Sequence, residues 1–347
     1  MRIAQIAPLW ESVPPAKYGA IEALVADLSR HLVAAGHEVT VFASGDSLVS
    51  GRLAAGHPRS LNADDSVIEP EAIRLGQLAD VLEQAAQFDV LHSHLHSNSG
   101  LVAALVLHPL RKRTVHTLHC YANADNSRLL NTLADNSYIA ISDHQRTSLP
   151  RLNWRARIYH GLDAGFFPFR AEPDEPPYVA FLGRLRPEKR PDFAIAAARA
   201  AGIPIRIAGR VKPADRSFFQ TKIAPHVDGE TVRYLGELAF SDKVRFLGGA
   251  CATLVTSGLP EPFGLVTAES QLCGTPVVAT RSGAIDEIVE QRETGLIADG
   301  DSEFPEHIHA ALKLDRMACR SFSAERFSLP RMAAEYLAVY EEIVNGG

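Results

Sequence analysis

The chain has 347 residues, of which 46% are hydrophobic and 22% charged. This ordinary globular composition excludes wholesale disorder and, at roughly 150 residues per domain, indicates two domains. The net charge of −6 argues against a protein held on nucleic acid by bulk charge, and four cysteines without a CxxC pair give no disulfide framework and no structural zinc motif. The sequence shows neither a signal-peptide pattern nor a run of about 18 apolar residues, so we expect a cytoplasmic protein without a transmembrane segment.

Short apolar runs alternate with helical patterns along the first half of the chain, which is typical of a parallel α/β sheet. Residues 3–7 predict a buried strand, and Ile21 to Ala35 carries apolar residues at helical spacing until Gly36 ends the helix. Further strands are expected at 38–43, 89–92, 114–118, 137–141 and 156–159. We therefore expect an N-terminal Rossmann-like domain over residues 1–165.

The composition changes between Leu162 and Pro177, where prolines and charges follow one another without a period. This predicts a linker over 166–177 and a second Rossmann-like domain over 178–328. Its strands are expected at 178–182, 204–208, 232–235, 252–255 and 276–279. The last helix, within 329–347, carries an apolar stripe that predicts packing back on the first domain. Two such domains in tandem place a ligand at the carboxyl ends of their strands.

The segment 260–276 places two glutamates around the start of a helix. Glu261 precedes a tight turn, the helix begins near Phe263 or Gly264, and Glu269 follows Glu261 with seven residues between them. The first-turn N–H groups of such a helix have no intrahelical partner, so they form a seat for a phosphate or a sugar hydroxyl. Each carboxylate can accept from a pair of ligand hydroxyls. The alternative makes Glu261 a helix cap and Glu269 a solvated surface residue, and spacing alone leaves both open.

Two other segments carry features of an anion site. Arg184 and Lys189 follow the strand that ends at Gly183, with four residues between them, and two cations there can neutralise a diphosphate. The alternative is a pair of surface residues. The first loop, 13–22, joins a strand to a helix at Gly19-Ala20 and offers further backbone donors. It contains no GxGxxG, which argues against a dehydrogenase.

Three histidines, His92, His94 and His96, alternate at the end of a predicted strand and so share one side. They permit a metal site, an acceptor-side role or an ordinary polar loop. No acidic residue lies between Leu91 and His119, which argues against the metal site. We therefore predict no metal ligands.

Taken together, Gly19, the Gly-Arg-x4-Lys of 183–189 and the Glu-x7-Glu of 261–269 resemble the retaining glycosyltransferases of family 4. The resemblance covers essentially the whole chain, including the order of the motifs. The segments GRLRPEKRPD, IRIAGRVKPADRSFF, YLGEL and PEPFGLVTAES are also similar to a bacterial subgroup, the UDP-glucose-dependent tetrahydrobiopterin glucosyltransferases.

This resemblance implies the GT-B fold, an α/β architecture of two doubly wound, Rossmann-like domains facing a central cleft. It also implies a hexosyltransferase that moves glucose from UDP-glucose to a hydroxyl of a small-molecule acceptor, with retention and without a metal or other cofactor. Two alternatives stay open: a nucleotide-sugar binding module without transfer activity, and a GT-B nucleotide-sugar epimerase.

Residue roles follow from the same resemblance. Arg184 and Lys189 would hold the diphosphate as it leaves, while Glu261 accepts from the donor sugar and Glu269 from the ribose. His119 would point at the donor sugar. The expected catalytic residues are His119, Arg184, Lys189 and Glu261. The expected donor-binding residues are Gly19, Ala20, Arg184, Lys189, Leu238, Glu261, Phe263, Gly264, Leu265 and Glu269, with His92 and His94 on the acceptor side.

One position departs from the family pattern. Many relatives have Gly-Gly where this chain has Gly19-Ala20. The Ala20 Cβ restricts a positive φ and a close approach to phosphate, so donor contact there is in question.

Overall fold

The computed structural model describes residues 1–17, 19–96 and 98–346, with residues 98 and 99 described by their backbone alone. The chain divides into two compact units. One unit consists of Met1–Gly161 with Leu329–Gly347, and the other of Leu162–Ser328.

The first unit is built on a parallel sheet. Its strands are β1 (Arg2–Ile6), β2 (Glu38–Ser44), β3 (Arg52–His57), β4 (Val90–Leu95), β5 (Thr114–Leu118), β6 (Ser137–Ala140) and β7 (Asn153–Arg157). Within the described residues these strands form a seven-stranded sheet in the order β3-β2-β1-β4-β5-β6-β7. Its helices before the crossing into the second unit are α1 (Ala20–Ala34), α2 (Pro70–Gln84), α3 (Val102–Val106), α4 (Ala124–Thr132) and α5 (Asp143–Ser148).

The second unit repeats this architecture. Its strands are β8 (Val179–Leu182), β9 (Ile205–Ala208), β10 (Val232–Tyr234), β11 (Ala252–Val255), β12 (Val277–Thr280) and β13 (Gly295–Ala298). The part of this unit that the structure describes pairs them in the order β10-β9-β8-β11-β12-β13, again all parallel. Its helices are α6 (Pro191–Ala200), α7 (Arg216–Phe218), α8 (Phe240–Gly249), α9 (Leu265–Leu272), α10 (Ile285–Ile288), α11 (Phe304–Ala311) and α12 (Arg316–Arg326). The predicted parallel α/β class is confirmed.

The last helix, α13 (Leu329–Gly346), belongs to the first unit. Met332, Tyr336, Tyr340 and Ile343 recur at helical spacing and are buried in the same cluster as the Ile3 side chain of β1. A stripe of this spacing lies on one face of a helix. The apolar face of α13 therefore packs into the core of the first unit, together with β1. No helix among the described residues is long and apolar enough to cross a bilayer.

Three strands differ from the sequence-based expectation. The edge strand β3 was not predicted, because RLAAGH has no apolar run and none of its residues is fully buried. The strand expected at 156–159 lies instead at Asn153–Arg157. This strand, β7, forms the opposite edge of the same sheet and is also polar, because an edge strand buries little of its surface. The edge strand β13 was also not predicted, although its four residues are all buried.

The segment 166–177, expected as a linker, lies within the second unit. Phe167 is buried in that unit's core, and the backbone N–H groups of Arg170 and Asp174 donate to the carbonyls of Cys273 and Gly249.

Candidate functional site

The Gly-Arg turn after β8 is held by the neighbouring strand β9. The Gly183 N–H donates to the Ala208 carbonyl at 3.0 Å, and the residue after Ala208, Gly209, adopts a φ of +148°. A Cβ built on Gly209 would lie 1.8 Å from the Gly183 carbonyl oxygen. Only glycine permits this approach. The position of Arg184, one residue beyond Gly183, therefore depends on a glycine that follows another strand.

Replacement of Gly209 by alanine should displace the Gly183–Arg184 turn. We expect a loss of about 1–3 kcal/mol in the free energy of unfolding, the usual cost of overpacking, together with weaker UDP binding. Thermal denaturation and calorimetry measure the two effects. Gly202→Ala is the matched control, since Gly202 also has a positive φ but has open space within 4 Å of the point where a Cβ would lie. Equal UDP affinities in the two variants would contradict the dependence of Arg184 on Gly209.

Lys189 and Glu261, far apart in sequence, meet in an ion pair. The Lys189 Nζ lies 2.6 Å from the Glu261 Oε1, and each side chain is less than one-third exposed. Lys189 ends a short 3-10 turn, Pro187–Lys189, that is fixed from the end of β11. The Thr256 hydroxyl donates to the Lys189 carbonyl at 2.8 Å, and the Gly258 N–H donates to the Glu188 carbonyl. The two expected catalytic groups are thus brought together by two loops.

The helix α9 begins at Leu265, next to the start predicted near Phe263 or Gly264. Gly264 is its N-cap with a φ of 97° and no side-chain cap, so the Glu261 side chain does not cap the helix. The first-turn amide of Leu265 is left without an intrahelical acceptor. The Phe263 ring is buried and contacts Phe327 edge-on at 5.4 Å, which leaves only its backbone for a ligand. Glu261, Phe263 and Gly264 line a small recess together with Ser257 and Ser282.

Glu269 is not a solvated surface residue. It is 9% exposed, and its Oε1 accepts from the Lys243 Nζ at 2.6 Å. Lys243 lies on α8 and also sits over the Phe240 ring, 4.8 Å from its centroid. Leu238, just before α8, is partly buried against the core of the same unit. A second lysine–glutamate pair therefore involves α9 itself, whereas the first lies before its N-terminus.

Lys243 was missed by the sequence reasoning. Its local sequence, FSDKVRF, is that of an ordinary amphipathic helix, and nothing in it indicates a partner 26 residues later. The pairing depends on the packing of α8 against α9, which spacing along the chain does not reveal.

In the first unit, Gly19 is the N-cap of α1 and takes a φ of 153°, whereas Ala20 is the first helical residue and is exposed. The described non-glycine residues with positive φ do not include Ala20, so its Cβ imposes no strain. Glu22, which the sequence reasoning missed, is 5% exposed beside Gly19. Burial raises the pKa of the Glu22 carboxyl to about 7. Its position in the first turn of an amphipathic helix gave no sign of this burial.

Three of the expected histidines, His92, His94 and His119, form one cluster beside α13. His92 and His94 are both buried, and the His94 Nδ1 lies 3.1 Å from the His119 Nε2. His119 is partly exposed and stacks on His160, with ring centroids 5.2 Å apart. Burial lowers the pKa of His92, His94 and His119 well below the usual value, so these rings are neutral. His160, which the sequence reasoning also missed, follows an edge strand whose end was misplaced.

The described residues contain no group of three or more histidine, cysteine or acidic side chains arranged to hold a metal ion. Cys120, next to His119, is buried, and burial raises the pKa of its thiol to about 12. This thiol is therefore not a nucleophile at neutral pH.

Two family models match the chain in tandem. Residues 21–168 match "Glycosyltransferase Family 4", and residues 166–325 match "Glycosyl transferases group 1". The second match contains Arg184, Lys189 and both glutamates.

Individual proteins extend this similarity over nearly the whole chain. A D-inositol 3-phosphate glycosyltransferase of Mycolicibacterium smegmatis is 28% identical over 84% of this chain and 76% of its own length. Sucrose-phosphate synthase from Thermosynechococcus elongatus superposes with a TM-score of 0.81 at 20% identity, covering 100% of both chains. The Anabaena protein HepE, solved with UDP and glucose, superposes with a TM-score of 0.75 at 18% identity, covering 99% of this chain and 100% of its own.

Proposed function

Because the chain is a nucleotide-sugar-dependent glycosyltransferase with the GT-B fold, we propose that it transfers glucose from UDP-glucose to a hydroxyl group of a small acceptor, with retention at the anomeric carbon. The donor assignment rests on two lysine–glutamate contacts, one before the N-terminus of α9 and one on that helix. Glu261 and Lys189 lie before its N-terminus, and Glu269 and Lys243 lie on its second turn and on α8. The binding of UDP and glucose by HepE supports the choice of donor.

The leaving group explains why cations are needed there. When the bond between the anomeric carbon and the phosphate oxygen breaks, negative charge builds up on the distal phosphate of UDP. Arg184, Lys189 and the first-turn amides of α9 are fixed donors that stabilise this charge without reorganising at the moment of reaction. In this proposal Glu261 has a second partner, the hydroxyls of the donor sugar, and orients the ring.

Retention follows from a front-face reaction. The acceptor oxygen bonds to the anomeric carbon on the face from which the phosphate departs, and the acceptor proton passes to the departing phosphate oxygen. The products are the glucoside and UDP. No protein carboxylate forms a covalent intermediate in this scheme. His119 serves as a neutral hydrogen-bonding group toward the donor sugar, consistent with its lowered pKa.

The acceptor is proposed from sequence similarity in the second unit. The segments GRLRPEKRPD and PEPFGLVTAES are similar to tetrahydrobiopterin glucosyltransferases, so a reduced pterin is the first acceptor to test. Incubation with UDP-[13C]glucose and a panel containing tetrahydrobiopterin and inositol 3-phosphate, followed by mass spectrometry, identifies the product. The one-bond carbon–proton coupling at the anomeric carbon then gives its configuration. An inverted product, or loss of UDP-glucose to hydrolysis or epimerisation with every acceptor, would refute the proposal.

Activity should survive an excess of EDTA, because Arg184, Lys189 and the α9 amides supply the charge that a divalent ion would otherwise provide. The measurement compares initial rates of UDP release before and after chelation. Loss of the rate in EDTA, with recovery on adding manganese or zinc, would show that a metal takes part.

A further inference from the structure

We infer that Gln5 and His94 are positioning residues that fix the tautomer of His119, leaving its Nδ1 as the hydrogen-bond acceptor offered to a substrate hydroxyl. This inference rests on the proposed role of His119 in sugar transfer. It is carried by a chain of hydrogen bonds that begins on β1, crosses β4 and ends on the His119 ring beyond β5.

The first link orients the Gln5 side chain. Its Nε2 donates to the Tyr340 hydroxyl on α13 at 3.0 Å, so its Oε1 faces the other way, 2.8 Å from the His94 Nε2. Gln5 is fully buried, and its amide has no access to solvent. A carbonyl oxygen can only accept a hydrogen bond, so the His94 Nε2 carries the proton.

The second link transmits this orientation to His119. His94 is neutral, since burial holds its pKa well below the usual value, and its Nδ1 therefore bears a lone pair. The atom it faces at 3.1 Å is the His119 Nε2, which must donate. His119 is neutral for the same reason, so its own Nδ1 is unprotonated. That atom is buried and has no hydrogen-bond partner among the described residues.

The rest of the cluster holds the rings in place. The Tyr340 hydroxyl also lies 2.6 Å from the His92 Nδ1, and the His92 Nε2 lies 2.7 Å from the Thr117 hydroxyl. His160 stacks on one face of the His119 ring at an interplanar angle of 16°. Turning the His119 ring over would break its hydrogen bond to His94, and tilting it would break the stack on His160. A fixed tautomer on a fixed ring is the arrangement that directs a histidine lone pair at one atom of a substrate.

The inference is tested by determining the tautomer of His119 from the ¹⁵N chemical shifts of the histidine rings. The His119 signals are assigned as those missing from the spectrum of the His119→Asn variant. In the wild type we expect His119 to be protonated at Nε2 and bare at Nδ1. Gln5→Met keeps the side-chain length but removes the amide, so His119 should become a mixture of tautomers. The kcat of the Gln5→Met variant should fall roughly 10–100-fold, the range for removing a group that orients a histidine ligand. Its KM for UDP-glucose should change little.

Gln77→Met is the matched control, because Gln77 is also a buried glutamine of the first unit but donates to the Ala7 and Phe42 carbonyls and not, among the described residues, to the histidine cluster. It should leave the His119 tautomer and kcat unchanged. A wild-type His119 protonated at Nδ1, or a Gln5→Met variant with the wild-type tautomer, would overturn the inference. Full turnover in His119→Asn would instead overturn the proposed role of His119, whatever the tautomer measurement shows.

Discussion

Replacement of Lys189 by alanine should lower kcat by roughly 10²–10³-fold, the effect of removing one preorganised electrostatic group from a reaction in which charge develops. Lys189 is held by its backbone through Thr256, and its Nζ contacts Glu261 at 2.6 Å. Its charge is therefore already in place before the diphosphate leaves. Arg184→Ala should have an effect of the same order, since Arg184 follows β8, the same strand that precedes Lys189.

Steady-state kinetics with UDP-glucose measures the loss, and Lys222→Ala, a change at an exposed lysine of the same unit, should leave kcat unaltered. The double variant Lys189→Ala/Glu261→Ala separates two explanations. If Lys189 acts on the leaving phosphate, the double variant is slower than Glu261→Ala alone. If it only holds Glu261, the two rates are equal. Wild-type rates in both Lys189→Ala and Arg184→Ala would refute the diphosphate assignment.

Replacement of Glu269 by alanine should raise the Kd of UDP by roughly 10–100-fold, because a hydrogen bond to a charged group contributes about 1.5–3 kcal/mol. Glu269 is buried and already neutralised by Lys243 through its Oε1, so its Oε2, which makes no hydrogen bond among the described residues, can accept from ribose hydroxyls. Glu261→Ala should leave UDP binding nearly unchanged and weaken UDP-glucose, since this carboxylate is assigned to the sugar.

Calorimetry with UDP, 2′-deoxy-UDP and UDP-glucose tests both assignments. The wild type should bind 2′-deoxy-UDP more weakly than UDP, whereas Glu269→Ala should not distinguish the two ligands. This comparison separates a lost ribose contact from the effect of leaving Lys243 unpaired, because the latter weakens both ligands equally. A reversed pattern, with Glu261→Ala weakening UDP itself, would refute the division of roles.

Most of the fold was predictable because it is carried by local patterns. A buried strand such as β8 is a continuous apolar run, and the stripe on α13 is visible at helical spacing. The GT-B fold implied by the family resemblance is confirmed, and so is the prediction that the chain is a glycosyltransferase. The edge strand β3 escaped prediction and the edge strand β7 was misplaced, since both bury too little to need apolar residues.

The candidate site was predictable only where one segment carries the whole signal. Glu261, Glu269 and the start of α9 lie within a few turns of each other in sequence, so their relation could be stated in advance. Lys243 and Gln5 could not be found this way. Their partners, Glu269 and His94, lie on other elements, and only the packing of those elements brings the atoms within hydrogen-bonding distance.

The return of α13 to the first unit has a consequence for how the protein is made. Tyr336 and Tyr340 supply both core surface and hydroxyl partners to Thr117 and His92, yet they are synthesised after the whole of the second unit. The second unit is continuous in sequence and can fold as soon as it leaves the ribosome. The first unit cannot complete its core until α13 has been synthesised, and until then the face that α13 covers stays exposed. These contacts span most of the chain, and such long-range closures are slow. The half of the enzyme that is translated first is therefore the half that is completed last.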